Sequence, residues 1–204
     1  MSYIHDSVMD QIATLKSQGR FHDALKLVNS YLVDDPSNQD LLMEIADIHY
    51  RKGELDKSSR PVDFLLSQNP EDPMNWYIKG VIEMDKRNRS GAREFLKKAI
   101  KLTNLENAEV VRAYGLSEFW YGNREKGIDM LKMALEMNHY DAEIVYNLAQ
   151  LYLMDHRYSL ADRMIKYYSK YRPKLQSYDK QLTYYDEKIK LFQEFLDTRV
   201  NHHH

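Results

Sequence analysis

The most regular feature of the chain is a recurrence of small and branched apolar residues. Small residues stand at Ala24, Ser58, Ala92, Gly127 and Ala161, in steps of 34, 34, 35 and 34. A mostly small column (Ile12, Ala46, Gly80, Gly115, Ala149) and an aliphatic column (Val28, Val62, Leu96, Leu131, Ile165) repeat the same four steps. Two antiparallel helices pack closely only where a small side chain lets the partner backbone approach, and branched aliphatics then fill the space beside it. Each period therefore reads as one helical hairpin, and the fixed spacing marks a stack of such units.

Turn-rich segments separate the periods: Asp34-Asp35-Pro36-Ser37, Asn69-Pro70-Glu71-Asp72-Pro73, Met137-Asn138-His139-Tyr140-Asp141 and Arg172-Pro173-Lys174. Proline fixes its own φ, lacks a donor and disfavours helix in the residue before it, so the proline-bearing segments are helix stops. The resulting boundaries are about 5–38, 39–72, 73–107, 108–141 and 142–174. Pro61 breaks the rule, because it falls inside the second helix of the second period, where proline costs about 3 kcal/mol. A kink there, or a helix that begins only near Ser59-Arg60, is expected.

From about Tyr178 the period is lost. Tyr178, Leu182, Tyr185, Ile189, Phe192, Leu196 and Val200 follow at spacings of three or four, which lays one apolar stripe along a single helix over 176–200. Asp179, Lys180, Asp186, Glu187, Lys188, Lys190 and Glu194 occupy the other side. A stack of hairpins would otherwise expose its last packing surface, so this segment is expected to cap it. The same spacing fits a heptad seam as far as Leu196, which keeps a homodimer through this helix open.

On these residues the chain resembles the tetratricopeptide repeat family, whose signature places Trp, Leu-Gly and Tyr on the first helix and Ala, an aromatic or aliphatic residue and Pro on the second. The third period carries Trp76, Gly80, Ala92, Leu96 and Ala99; the fifth carries Leu148, Ala149, Tyr152, Tyr158, Ala161, Ile165, Tyr168 and Pro173. Gly19, Phe21, Ala24 and Pro36 match in the first, Ala46, Gly53, Leu55 and Pro70 in the second, and Gly115, Gly122 and Ala134 in the fourth. The departures are Ile12, where a small residue is usual, and Arg87 and Arg89, where glycine and an aromatic are typical. The resemblance implies an all-α fold: a right-handed α-solenoid of five TPR-like helical hairpins plus a C-terminal capping helix.

It also implies a concave surface lined by the first helix of each pair, commonly through the fifth, ninth, twelfth and thirteenth repeat positions. Carried over, those positions give Met43, Asp47 and Tyr50, then Tyr77, Val81 and Met84, then Arg112, Leu116, Phe119 and Trp120, then Tyr146 and Gln150. Adaptable methionine and rigid aromatics offer contact area to an apolar peptide or an amphipathic helix, so the expected role is a scaffold or chaperone-like adaptor with a protein partner. Members that grip charged peptide tails use Lys and Asn at the fifth and ninth positions. Met9, Ala13, Met43 and Asp47 stand there instead.

Composition narrows the alternatives. With 29 basic and 31 acidic residues intermixed, the chain has no global field for nucleic acid or anionic lipid. The basic runs Lys86 to Lys101 and Arg163 to Lys174, the latter interleaved with Tyr167, Tyr168 and Tyr171, fall largely on second helices. Their outward faces are normally solvated, and nucleic-acid binding is disfavoured. A self-assembling structural protein is the main rival to the adaptor. The chain has no cysteine, and His5, His22, His49, His139 and His156 lack the i, i+4 spacing of a helical metal site, so neither metal nor other cofactor is expected. No phosphate loop or nucleophile elbow is present, which argues against an enzyme. Without a signal-peptide pattern or a long apolar run, the expected location is cytoplasmic. Residues 201–204 read as a tag remnant.

Overall fold

The computed structural model describes residues 2–177 and 182–201, with side chains described over 7–177 and 182–199. Tyr178, the start expected for the closing helix, and the histidines at 202–204 lie outside the described residues. The described residues are all-helical, and the fold is one of five TPR-like hairpins followed by a closing helix. The chain forms two compact units, Met1–Leu102 and Thr103–His204.

Unit 1 holds three hairpins: α1 (Ser2–Ser17) with α2 (Phe21–Leu32), α3 (Gln39–Arg51) with α4 (Leu55–Gln68), and α5 (Pro73–Asp85) with α6 (Arg89–Leu102). The second helix of one pair packs on the first helix of the next, α2 on α3 and α4 on α5. Val8, Ile12, Ala24, Val28, Leu41 and Ile48 form one buried cluster, and Ala46, Val62 and Ile82 the next. At the α3–α4 crossing the small column carries Ser58, which is buried, and its hydroxyl donates to the Ala46 carbonyl at 2.8 Å. A small polar side chain thus meets the partner backbone with its donor satisfied. Pro61 lies within α4, which starts at Leu55, so a start near Ser59-Arg60 is ruled out. Burial of Ser58, Ser59, Pro61, Val62 and Leu65 on the packed face of α4 offsets the bond that proline cannot donate.

Unit 2 holds α7 (Ala108–Tyr121) with α8 (Arg124–Met137) and α9 (Ala142–Met154) with α10 (Tyr158–Tyr171), then a 3₁₀ turn over Arg172–Lys174 and α11 (Leu182–Asn201). Here the two small columns meet glycine on glycine. A methyl group placed on Gly127 would lie 2.7 Å from the Gly115 carbonyl oxygen, and one on Gly115 would lie 2.5 Å from Leu131. After α10, Pro173 ends the helix and the chain folds back. Gln176 exchanges two backbone hydrogen bonds with the α8–α9 loop, donating to Tyr140 at 2.8 Å and accepting from Ala142 at 2.9 Å, with Leu175 buried beneath. This pin precedes α11, which packs against α9 and α10 and buries Tyr185, Ile189 and Leu196.

Candidate functional site

Two columns in the structure explain how the first helices are delimited. Asn38, Asp72, Asn107 and Asp141, in steps of 34, 35 and 34, cap α3, α5, α7 and α9 by accepting from backbone amides of the first turn. Each such cap contributes about 1 kcal/mol. At the far end, Gly19, Gly53, Arg87, Gly122 and His156 all have positive φ, between 59° and 122°. The amide that follows each of them reaches back to a carbonyl five residues earlier, for example Glu54 to His49 at 2.9 Å. This is a helix-ending turn that favours glycine, since a Cβ in the left-handed region is penalised. The glycine column was legible in part, at Gly19, Gly53 and Gly122 with Arg87 in glycine's place, whereas the capping column was missed although asparagine or aspartate at a 34-residue period is a readable signal.

A third recurring feature ties the same two residues of the turn through their side chains. His49 Nδ1 lies 2.7 Å from Glu54 Oε2, Asn88 donates to Glu83 at 2.8 Å, and Asn123 donates to Glu118. Hydrogen bonds from His49 and Lys52 hold the Glu54 carboxyl at about 2. Glu118 is fully buried and also receives Lys126 at 2.9 Å, so the buried charge is paired.

On these supports sit the residues expected at the groove. In unit 1, α3 carries Met43, Asp47 and Tyr50 and α5 carries Tyr77, Val81 and Met84, all half-buried. This face is more polar than the sequence suggested. Lys16 of α1 bridges Glu44 and Asp47 of α3 at 2.5 and 2.7 Å, and Arg51 closes on Asp47 at 2.9 Å. The Tyr50 hydroxyl donates to Asp85 of α5. Burial pulls the Lys16 ammonium down, but hydrogen bonds to Asp47 and Glu44 outweigh it and leave the group raised. Adjacent first helices are thus laced together by charge, while methionine and tyrosine flanks stay half open.

Unit 2 treats the corresponding positions differently. Arg112, Leu116 and Phe119 on α7 and Tyr146 on α9 are buried, and only Trp120 and Gln150 are half-buried. Arg112 is held between Glu109 and Glu143, the latter at 2.8 Å. Burial lifts the Glu143 carboxyl, against the pull of Arg112. Tyr146 is covered by α11: its ring stacks on Phe192 with centroids 5.5 Å apart and meets Tyr185 at 5.3 Å and Tyr184 at 6.2 Å. The helix is locked there by a bidentate pair in which Arg172 donates to Asp186 at 2.5 and 2.6 Å, with the Tyr168 hydroxyl donating to the same carboxylate at 2.9 Å. As they stand, these four side chains contact the protein itself.

Two open clefts lie elsewhere, of about 790 Å³ beside α1 and about 440 Å³ between α10 and α11, and none of the groove residues lines either. Among the described residues no cluster of three His, Asp or Glu could hold a metal, and no helix is long and apolar enough to cross a membrane.

Comparison with known proteins agrees with this architecture. The tetratricopeptide repeat model matches residues 11–58, from α1 into α4. No curated protein matches the sequence. Among solved structures, TTC0263, a thermophilic TPR protein of Thermus thermophilus, is 22% identical with a TM-score of 0.72, over 90% of this chain and 98% of its own. The pilF protein of Pseudomonas aeruginosa is 16% identical with a TM-score of 0.70, over 81% of this chain and 75% of its own. A MamA protein is 19% identical with a TM-score of 0.59, over 83% and 91%. At these identities the likeness is one of fold. With 34-residue columns and glycine-type turns in its hairpins, the chain matches the tetratricopeptide-repeat model across residues 11–58 and shares the fold of tetratricopeptide-repeat proteins in the hairpins beyond.

Proposed function

We propose that the chain is a protein–protein interaction module that takes a peptide segment across the first helices of unit 1. Met43, Tyr50, Tyr77 and Met84 would supply the apolar contacts, with Asp47 and Asp85 as fixed acceptors beside them. The observation that carries this reading is the difference in exposure between repeats. Of the positions that tetratricopeptide-repeat proteins use for ligands, those on α3 and α5 are half open, whereas Arg112, Leu116, Phe119 and Tyr146 on α7 and α9 are buried and Trp120 and Gln150 stay half open. Half-buried tyrosine on a rigid helix loses little entropy on contact, and methionine adapts to a partner surface. Because Asp47 already pairs with Lys16 and Arg51, Asp85 is the carboxylate that favours a ligand with a donor or basic residue among its apolar anchors, an amphipathic helix or a short extended segment. Trp120 and Gln150 remain as secondary candidates on unit 2.

The test is selection of peptides from a random displayed library on the wild-type chain, followed by affinity measurement on variants. Tyr77→Ala with Met84→Ala is expected to weaken a selected peptide at least about tenfold, since truncating two anchors removes more than about 1.4 kcal/mol. Circular dichroism should be unchanged, because both side chains are only half-buried. Retained affinity in the double variant overturns the assignment.

A further inference from the structure

In unit 2, cations such as Arg112, Lys126, Arg157 and Arg172 are neutralised in place by carboxylates. Arg163, Lys170 and Lys174 are different: among the described residues none of the three forms an ion pair. Arg163, Lys166 and Lys170 follow one another along α10 at spacings of three and four, and Lys174 stands one turn further on. The line therefore offers a cation at every helical turn, about 5.4 Å apart. Asp162 is the only acid on α10, and it pairs with Lys166 at 2.6 Å.

Beside this line lies a shelf of tyrosine rings. Tyr167 and Tyr171 of α10 meet with centroids 4.6 Å apart, and Tyr140 of the α8–α9 loop meets Tyr171 at 5.8 Å. The shelf is anchored at both ends. The Tyr167 hydroxyl donates to the His139 carbonyl at 2.9 Å, and the Gln176 amide holds the Tyr140 carbonyl at 2.8 Å. Rings fixed in advance cost little to bind. Tyr140 is exposed and the other two are half-buried, while Lys170 lies 5.0 Å over the Tyr171 ring and Lys174 lies 5.7 Å over Tyr140.

An outward face of a second helix is ordinarily solvated, and composition by itself disfavours nucleic acid. The unneutralised line and the anchored rings set this face apart. A row of charge at one-turn intervals fits a linear anion, and the rings beside it fit one that carries flat faces. An acidic peptide would meet the cations and leave the rings unused. A duplex would keep its bases inside. We propose that this face of α10 binds single-stranded nucleic acid, with Arg163, Lys170 and Lys174 on phosphates and Tyr140 and Tyr171 stacked on bases. Phosphates draw the two ammonium groups off the rings, and bases take the faces that they leave. Because every base has such a face, the binding is tolerant of sequence. It uses none of the unit 1 residues assigned to a peptide, so neither proposal depends on the other.

Fluorescence anisotropy of a labelled oligothymidylate of about 15 nucleotides, titrated with the full chain between about 50 and 200 mM salt, tests this. Affinity should fall with salt at a logarithmic slope of about −2, three phosphate contacts at about −0.7 each. Lys170→Glu with Lys174→Glu should weaken binding at least about tenfold with an unchanged helical spectrum, since both side chains are exposed. Tyr140→Ala should weaken it about fivefold and leave an abasic strand of equal length and charge unaffected. The wild-type chain should itself bind that abasic strand roughly tenfold more weakly, a comparison that needs no variant. No binding at the lowest salt, equal affinity for the abasic strand, or indifference to the double charge reversal overturns the proposal. Capture of phosphatidylserine vesicles without the strand overturns it in favour of a membrane surface.

Discussion

Helices α3 and α9 are the first helices of their hairpins and begin behind the same kind of cap, yet one repeat position behaves differently on each. Met43 on α3 is half open, whereas Tyr146 on α9 is buried under Phe192, Tyr184 and Tyr185 of α11. The residue type does not decide this, since tyrosine is the more amphipathic of the two and would tolerate solvent. The element lying over that face decides it. On α3 the neighbouring contacts are long charged side chains, Lys16 and Arg51, which pair at their tips and leave the flanks of the helix accessible. On α9 a whole helix is laid down and clamped by Arg172 and Asp186. A repeat position therefore says which direction a side chain faces, and the next element says whether that direction is open.

The comparison can be broken most forcefully at Tyr185. Tyr185→Ala should destabilise unit 2 by about 3 kcal/mol, the usual cost of truncating a buried aromatic, and should expose Tyr146. Urea unfolding followed by circular dichroism measures the first effect and tyrosine fluorescence the second. Next in size is the helix crossing. Gly127→Ala sets a methyl 2.7 Å from the Gly115 carbonyl and 2.8 Å from the Phe119 amide, both backbone, and should cost about 2 kcal/mol despite the helix-propensity gain. Gly80→Ala in unit 1 meets the buried Leu96 side chain at its Cγ, 2.5 Å away, rather than a backbone carbonyl, so a smaller loss of about 1 kcal/mol is expected from the same unfolding curves.

Smaller effects sharpen the account. Arg87 and His156 hold positive φ in turns where the other hairpins have glycine. Arg87→Gly should be neutral or stabilising by up to about 1 kcal/mol, the reverse of Gly53→Ala, because relief of the Cβ clash outweighs the added chain entropy. Thermal midpoints compare the two. The smallest is the response to acid. The Arg172 guanidinium holds the Asp186 carboxyl below its ordinary 3.8, with burial opposing and the Tyr168 hydroxyl assisting. A depressed native pKa gives a contribution that is fully present above the unfolded value and is lost as pH falls through the native one. Amide exchange in α11 should therefore quicken below about pH 4, and Asp186→Asn should show a similar quickening at neutral pH.

Much of the fold was legible because close helix crossings demand small residues at fixed spacing. Ala24, Ala92, Gly115 and Gly127 sit at those crossings, and no other chemistry explains their period. The caps were partly visible, Asp72 and Asp141 falling inside the turn segments already marked. Of the two outcomes expected at Pro61, a late start of α4 does not occur, because local propensity there was outweighed by burial along the packed face. For the site, the helices that carry Met43, Tyr77 and Tyr146 followed from the period. Exposure did not, because it depends on contacts between residues far apart in sequence, such as Lys16 with Asp47 or Tyr146 with Phe192.

The most direct test of the contrast between the two units is hydroxyl-radical footprinting of the native chain, read residue by residue by mass spectrometry. Met43, Tyr50, Tyr77 and Met84 should be oxidised readily, and Tyr146 and Tyr185 should be protected until α11 is loosened by Asp186→Asn. Labelling of Tyr146 in the wild-type chain as fast as Tyr77 would contradict the account.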